Sequence, residues 1–176
     1  MDRLRRAVDS ILAWFLIILM FVAVVNVLWQ VFTRWVLKDP SSYTEELARY
    51  LLIWIGLLGA GYAAGKRMHL AIDLLPNFLK GAWRHALEIL IEGLVLSFAV
   101  FVMIIGGYRL MSLTLLMGQQ SAALGIQLGW VYSVIPLSGA VIAFYAVASI
   151  IERIQIVRGR RADVVDSDRV PQQPID

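Results

Sequence analysis

One group of charged and amide side chains lies where one hydrophobic run of the sequence ends and the next begins. Its members are Asn26, Gln30, Arg34, Glu45, Glu46 and Arg49. The first three recur every four residues and therefore stack on one helix face, and the last three have the spacing of helical ion pairs. We predict a salt-bridged contact between two helix ends. Two alternatives stay open: one carboxylate contacts another subunit or a soluble domain, or the group couples protons or ions.

A second row of charges follows later in the chain. Arg84, Glu88 and Glu92 are spaced by four residues, so they share one helix face. The two glutamates repel each other unless a cation lies near them, and Lys66 or Arg67 is the candidate. We predict an internal brace between helices, with a bond from Glu92 to a neighbouring subunit as the alternative.

The sequence contains no residue pattern that is typical of an enzyme active site. The two histidines, His69 and His85, are sixteen residues apart, and the chain has no cysteine. No HExxH, GxSxG, phosphate-loop or dinucleotide-binding fingerprint occurs. We therefore predict that the protein is not an enzyme and has no catalytic, cofactor-binding or metal-binding residues.

Composition places these residues in a membrane protein. Hydrophobic residues make up 60% of the 176 residues and the mean hydropathy is +0.73, whereas a soluble domain is only about half apolar. The net charge of +3 comes from bases that flank the apolar runs, which is typical of membrane topology and not of nucleic-acid binding. We predict an all-α integral membrane protein that binds no nucleic acid.

Four segments are apolar enough to cross about 30 Å of hydrocarbon, which takes roughly 20 residues of helix. They are residues 11–33, 47–65, 87–108 and 130–151. The third contains Glu92, and a charge at a helix centre costs about 2.5–3.5 kcal/mol. Thirteen Leu, Ile, Val and Phe residues between Leu87 and Ile105 contribute about −4 to −8 kcal/mol, so insertion is favourable.

The charged ends of the chain predict its topology. The apolar run from Ile11 to Phe32 is longer than the roughly 7–15 residues of a signal-peptide core, so we expect a retained helix. Twelve of the sixteen Lys and Arg residues lie near the two termini or between the second and third segments. By the positive-inside rule, both termini are cytoplasmic. We predict a membrane domain over residues 1–155 and a disordered cytoplasmic tail over 156–176.

Other patterns indicate contacts with lipid and with helices. Residues 66–88 alternate apolar side chains with bases around Pro76, which predicts an amphipathic element on the lipid headgroups or a docking surface. Ridges of small residues let helix backbones approach closely, and they occur on the second segment. They are Gly56, Ala60 and Ala64 on one face, and Gly61 with Gly65 on another.

Two longer motifs stand out by their order and spacing: YTEELARYLLIWIGLLGAGYAAGKRMHLAID, which starts at Tyr43, and GQQSAALGIQLGWVYSVIP, which starts at Gly118. Together they resemble the small membrane subunit of tripartite ATP-independent periplasmic (TRAP) transporters. The resemblance covers residues 5–155. The chain departs from the family at Tyr43, where a Trp is frequent, and at Gln127, where a Pro is common.

The resemblance implies a place in a three-part uptake system of the bacterial inner membrane. Such systems import organic acids with a sodium gradient, and a periplasmic substrate-binding protein delivers the substrate to a large membrane subunit. The small subunit would pack on the static scaffold of the large one, with its outer loops, 34–46 and 109–129, facing the binding protein. The alternative is a self-sufficient small four-helix transporter that acts as a dimer and relies on Glu92.

Overall fold

The computed structural model describes the backbone of residues 2–38, 41–66 and 82–167, and the side chains of residues 5–38, 41–66, 87 and 89–151. Helices occupy Asp2–Phe32, Ser42–Gly65, Ala82–Phe98, Gly107–Leu116, Leu128–Tyr132 and Val134–Ser167, with π-helical turns over Thr33–Leu37 and Ala99–Gly106. The apolar rods that they form, called spans 1 to 4, are Arg5–Leu37, Ser42–Gly65, Ile89–Leu116 and Leu128–Ile151. No strand occurs in the described ranges, and the predicted all-α fold with four spans is confirmed.

The helices extend further than the crossing segments predicted from sequence. Span 1 has 33 residues, or about 50 Å of helix, against about 30 Å of hydrocarbon. A helix need not end at the hydrocarbon boundary, because its backbone hydrogen bonds are satisfied internally. At the other terminus the backbone is helical to Ser167. Disorder of the tail stays a prediction, and residues 168–176 lie outside the described residues, as does most of the predicted amphipathic element, 67–81.

Spans 1 and 2 pack along a contact with heptad spacing. In span 2 the buried Thr44, Leu51 and Leu58 are each seven residues apart. In span 1 the residues that face this contact alternate three and four apart, which is typical of left-handed coiled coils and of many membrane helix pairs. They are Asp9, Leu12, Leu16, Leu19, Ala23, Asn26, Gln30 and Thr33. The contact is therefore apolar along its middle and polar towards both ends.

The four spans form an open row in the order 1–2–4–3. Span 1 packs on span 2, span 2 on span 4, and span 4 on span 3, and no comparable contact joins spans 1 and 3 within the described residues. Span 4 is accordingly the most buried, and its Val134, Ser138 and Tyr145 are almost fully covered. Because the row is open, large apolar surfaces are left for lipid or for another membrane protein.

Glycines bring span 4 close to its two neighbours. A β-carbon added at Gly65 would lie 2.5 Å from Cζ of Tyr145, and one added at Gly139 would lie 3.2 Å from the carbonyl oxygen of Ala99. The absence of a side chain lets the helices approach this closely, and such packing drives association where the hydrophobic effect is weak.

Span 4 is broken shortly after it begins. The helix Leu128–Tyr132 stops at Ser133, and the next helix has Pro136 in its first turn. Proline lacks a backbone N–H, so the turn before it cannot complete its hydrogen bonds. The indole nitrogen of Trp54 in span 2 donates to the carbonyl of Val131 at 3.1 Å. A neighbouring helix thus supplies a hydrogen bond where the backbone is irregular.

Candidate functional site and subunit interface

The carboxylate of Glu46, near the start of span 2, binds the loop that joins spans 3 and 4. Its Oε2 accepts hydrogen bonds from the backbone N–H of Ala123 at 2.8 Å and of Leu124 at 3.2 Å. Its Oε1 accepts one from the Tyr50 hydroxyl at 2.6 Å, and the Ser121 hydroxyl is a further partner. We call these five residues the Glu46 clasp. Bonds to an ionised acceptor are stronger than neutral ones, so one side chain fixes the loop to span 2.

The loop, residues 117–127, is a turn with hydrogen bonds between its own backbone groups. The Ser121 N–H donates to the Ile126 carbonyl at 2.8 Å, and the Gly125 N–H donates to the Ser121 carbonyl at 3.1 Å. Gly118 and Gly125 have φ angles of +62° and +67°, a region that a side chain would disfavour. The two motifs noted in the sequence, one with the paired glutamates and one with the Ser-Ala-Ala-Leu run, therefore meet at the clasp.

Asn26 links spans 1 and 2 at the same end of the row. Its Nδ2 donates to the carbonyl of Thr44 at 2.8 Å, and both residues are buried. The Trp29 indole extends the contact with a hydrogen bond to the Tyr43 hydroxyl at 3.1 Å. Gln30 lies half-buried one turn beyond Asn26. The structure thus brings two members of the predicted polar group to the start of span 2.

Arg34 lies apart from this contact. It is exposed on the π-helical turn Thr33–Leu37 and forms no ion pair with either glutamate. Glu45 and Arg49 instead pair with each other along span 2 at 3.6 Å, with 71% and 68% of their side chains exposed. Such an exposed pair contributes little to stability. The elements at this end are connected by hydrogen bonds, one donated by Asn26 and others accepted by Glu46. The predicted ion pair from Arg34 to these glutamates does not form.

A second polar cluster ties spans 1, 2 and 4 together at the other end of the row. The Lys66 amine donates to Oδ2 of Asp9 at 3.0 Å, and the Tyr145 hydroxyl donates to Oδ1 of the same carboxylate. Arg5 donates to the carbonyl of Gly65 at 2.8 Å and lies over the ring of Tyr145. The hydrogen bond to Asp9 and its negative charge raise the pKa of Lys66 above its usual range. One carboxylate therefore fixes three spans relative to each other.

The second predicted row of charges is only partly described. Glu92 lies half-buried near the start of span 3 and forms no ion pair or hydrogen bond with any other described residue. The side chains of Arg84 and Glu88 lie outside the described residues, as does Arg67. Lys66, the other predicted cation, is already paired in the second cluster.

Of the two predicted small-residue ridges on span 2, one packs inside the chain and one does not. Gly61 and Gly65 are buried against span 4. Around the other ridge the helix surface is uncovered: apart from the backbone of its own helix and its chain neighbours, nothing lies within 4 Å of a β-carbon added at Gly56, and Ala60 is exposed, whereas Ala64 is half-buried. We call this surface the bare face of span 2; its small residues are Gly56, Gly59 and Ala60, and the exposed Leu52 lies one turn before them.

The uncovered surfaces of spans 1 and 3 have a different character. Phe21 of span 1 and Phe101 of span 3 are 69% and 66% exposed, among many other large apolar side chains. Bulky side chains of this kind suit contact with lipid chains, whereas a helix face of small residues suits the close approach of another helix. The described row therefore has one uncovered face of small residues, on span 2, and two uncovered faces of bulky apolar side chains, on spans 1 and 3.

Comparison with known families decides what kind of protein carries these features. Residues 23–156 match the sequence profile of the family described as "Tripartite ATP-independent periplasmic transporters, DctQ component". The chain belongs to this family. It is a TRAP transporter small permease subunit, a multi-pass protein of the bacterial inner membrane that partners a large permease.

Two relatives illustrate the breadth of the family. The small permease is 28% identical over 161 residues to the sialic acid TRAP transporter small permease protein SiaQ of Vibrio cholerae, covering 89% of this chain and 88% of SiaQ. It is also 28% identical over 126 residues to the sialic acid TRAP transporter permease protein SiaT of Haemophilus influenzae, covering 71% of this chain and 20% of SiaT. The chain therefore matches about a fifth of that longer permease.

Asp9, Thr44 and Tyr145 are among the residues that organise this small permease without having been predicted from the sequence. A signal existed for two of them. Asp9 continues the three-four spacing of span 1, and Thr44 lies seven residues before Leu51. Tyr145 had no such signal, because its partner Asp9 lies 136 positions away and only the packing of span 4 brings them together.

Proposed function

We propose that this small permease is the non-catalytic scaffold subunit of a sodium-coupled, binding-protein-dependent organic-acid uptake transporter. It packs on the static scaffold of the large permease and helps dock the periplasmic substrate-binding protein. One observation carries the proposal: span 2, an inner member of an open helix row, has a face of small residues that nothing in the described chain covers.

The bare face supports the large permease as the partner. The uncovered side of span 2 carries small residues, in contrast to the bulky apolar side chains exposed on spans 1 and 3. Small residues such as Gly56 and Ala60 allow a helix of another subunit to approach closely. SiaT, in which the region that matches this chain is a minor part of one longer permease, supports a direct association.

The distribution of bases supports an orientation. Lys66 lies at the end of the row that carries Asp9, and that end also holds the N-terminal arginines. By the positive-inside rule, this end faces the cytoplasm, together with both termini. The end with the Glu46 clasp then faces the periplasm, where the binding protein arrives.

The position of the ionisable groups in the described residues supports a scaffold in preference to a carrier. Asp9 and Lys66 lie at one end of the row, and Glu46 and Asn26 lie towards the other, while the contact between spans 1 and 2 is apolar between them. Carriers usually hold polar or ionisable groups near the middle of the membrane. Substrate and sodium sites then fall to the large permease, and organic acids are the substrate class that the relatives' sialic acid suggests.

The proposal is tested by reconstitution. The chain and the large permease encoded with it are purified together and separately, and sodium-driven uptake of an organic acid is measured in proteoliposomes with the substrate-loaded binding protein outside. We expect the two membrane chains to copurify, uptake to need both, and this chain alone to transport nothing. Uptake by the large permease alone at the full rate would refute a required scaffold. Flux through this chain alone, abolished by Glu92→Gln, would favour the dimeric transporter.

A further inference from the structure

We infer that Glu46 is a positioning residue for docking: it holds the loop 117–127 in the shape that the substrate-binding protein contacts. The inference rests on the proposed function, which places this loop on the periplasmic side. Beyond that function, the inference names one residue, Glu46, and states how this residue sets the strength of docking.

The clasp binds the inner side of the loop, which is the side that faces span 2. The N–H groups of Ala123 and Leu124 are occupied by Glu46, and the Leu124 N–H also bonds the Ser121 hydroxyl at 3.1 Å. The opposite side of the loop is exposed at Gln120, Ala122 and neighbouring residues. The surface offered to a partner is therefore the outer side of a turn whose inner side is bonded to span 2.

The chemistry of this surface indicates how a partner recognises it. Residues 117–128 contain no Asp, Glu, Lys or Arg, and the exposed polar side chains are the amides of Gln119, Gln120 and Gln127. A neutral surface binds through hydrogen bonds and close fit, both of which need a fixed geometry. If the loop had to be ordered on contact, docking would be weakened by the conformational entropy lost at that step. Contact through this loop should also respond little to salt.

The neighbouring glutamate provides a matched comparison. Glu45 carries the same charge one residue earlier, yet it is exposed and pairs only with Arg49 among the described residues. Removing Glu45 changes the surface charge but leaves every bond of the clasp in place. Removing Glu46 changes the same charge and releases the loop.

The experiment uses the full membrane complex in proteoliposomes. The uptake rate is measured against the concentration of substrate-loaded binding protein, and each curve gives a plateau and a half-saturating concentration. Glu46→Ala should raise the half-saturating concentration about tenfold, as loss of charge-assisted bonds predicts, with a plateau within about twofold of the wild type. Ser121→Ala should shift it in the same direction. Glu45→Ala should change it by less than about twofold, and the Glu46→Ala shift should persist at high salt.

Several results would overturn the inference. One is a Glu46→Ala curve that matches that of Glu45→Ala. Another is a lower plateau at an unchanged half-saturating concentration, which would place Glu46 in transport or in general folding. If Glu46→Ala no longer copurifies with the large permease, Ser121→Ala decides: an unchanged half-saturating concentration in that variant contradicts the inference. If wild-type uptake proceeded at the same rate without the binding protein, or without this chain, that result would instead refute the proposed function itself.

Discussion

Oε2 of Glu46 lies 2.8 Å from the backbone nitrogen of Ala123, a residue 77 positions further along the chain. This contact joins the start of span 2 to the loop between spans 3 and 4, so it bridges two parts of the row that the helix packing alone would connect only through span 4. Together with the Asp9 cluster at the opposite end, it fixes the inner helices of the row near both of their ends.

The clasp should stabilise the isolated small permease. Glu46→Ala removes a side chain that bonds two loop N–H groups and Tyr50, and these groups lose an ionised acceptor. We expect a lower midpoint of thermal unfolding in detergent than for Glu45→Ala, which removes only an exposed pair with Arg49. Equal midpoints for the two variants would show that the clasp bonds contribute nothing to the fold.

Packing between spans 2 and 4 should be sensitive to volume at Gly65. A β-carbon there would meet the Tyr145 ring at 2.5 Å, so Gly65→Ala should destabilise the chain by about 1–3 kcal/mol. Gly59→Ala is the matched control, because its added carbon meets nothing within 4 Å apart from the backbone of its own helix and its chain neighbours. Alanine has a higher helix propensity than glycine, so the control substitution should be neutral or should stabilise the chain by up to about 1 kcal/mol. Denaturation in detergent measures both, and a control as unstable as the test variant would contradict this packing.

The hydrogen bond from Asn26 to the Thr44 carbonyl should hold spans 1 and 2 together. Bonds of this kind in membrane proteins contribute about 0.6–1.7 kcal/mol, so Asn26→Leu should lower stability within that range. Gln30→Leu is the comparison: Gln30 faces the same contact, but its side-chain amide forms no hydrogen bond within the described residues. The prediction fails if unfolding measurements rank Gln30→Leu as the more damaging substitution.

Lys38 ends the π-helical turn of span 1 with a φ of +57°, a left-handed conformation that is unfavourable for a residue with a β-carbon. Replacement by glycine should therefore stabilise the chain, by about 1 kcal/mol. Lys38→Ala removes the same amine and keeps the β-carbon, so it should give no comparable gain. Thermal unfolding of the two variants distinguishes backbone strain from charge, and equal midpoints would rule out the strain.

Those features of the fold that depend on local sequence were predictable. Crossing segments follow from length and hydropathy, and all four were found with Glu92 inside the third. Contacts between helices were harder to predict from the sequence. Spacing by four suggested that Arg34 stacks with Asn26 and Gln30, but the real contact alternates three and four and continues at Thr33, which leaves Arg34 exposed.

The clasp shows where sequence patterns stop being informative. Both of its motifs were visible, but nothing local distinguishes Glu46 from Glu45 as the residue that bonds the loop. The choice depends on which side of span 2 faces the loop, and this is set by the heptad contact with span 1 and the packing of span 4. Similarly, Gly56 and Gly65 look equivalent in the sequence, and only the order of the spans shows which one is covered.

Cross-linking tests most directly whether the bare face of span 2 is the contact with the large permease. The chain has no cysteine, so single cysteines can carry a maleimide-linked photo-reactive group without a change of background. Ala60→Cys on the bare face is compared with Phe21→Cys, which is on the bulky outer face of span 1 and 69% exposed. After illumination of the membrane complex, we expect a covalent product with the large permease from Ala60→Cys and none from Phe21→Cys. A product from Phe21→Cys alone, or from neither position in a complex that copurifies, would contradict the proposed interface.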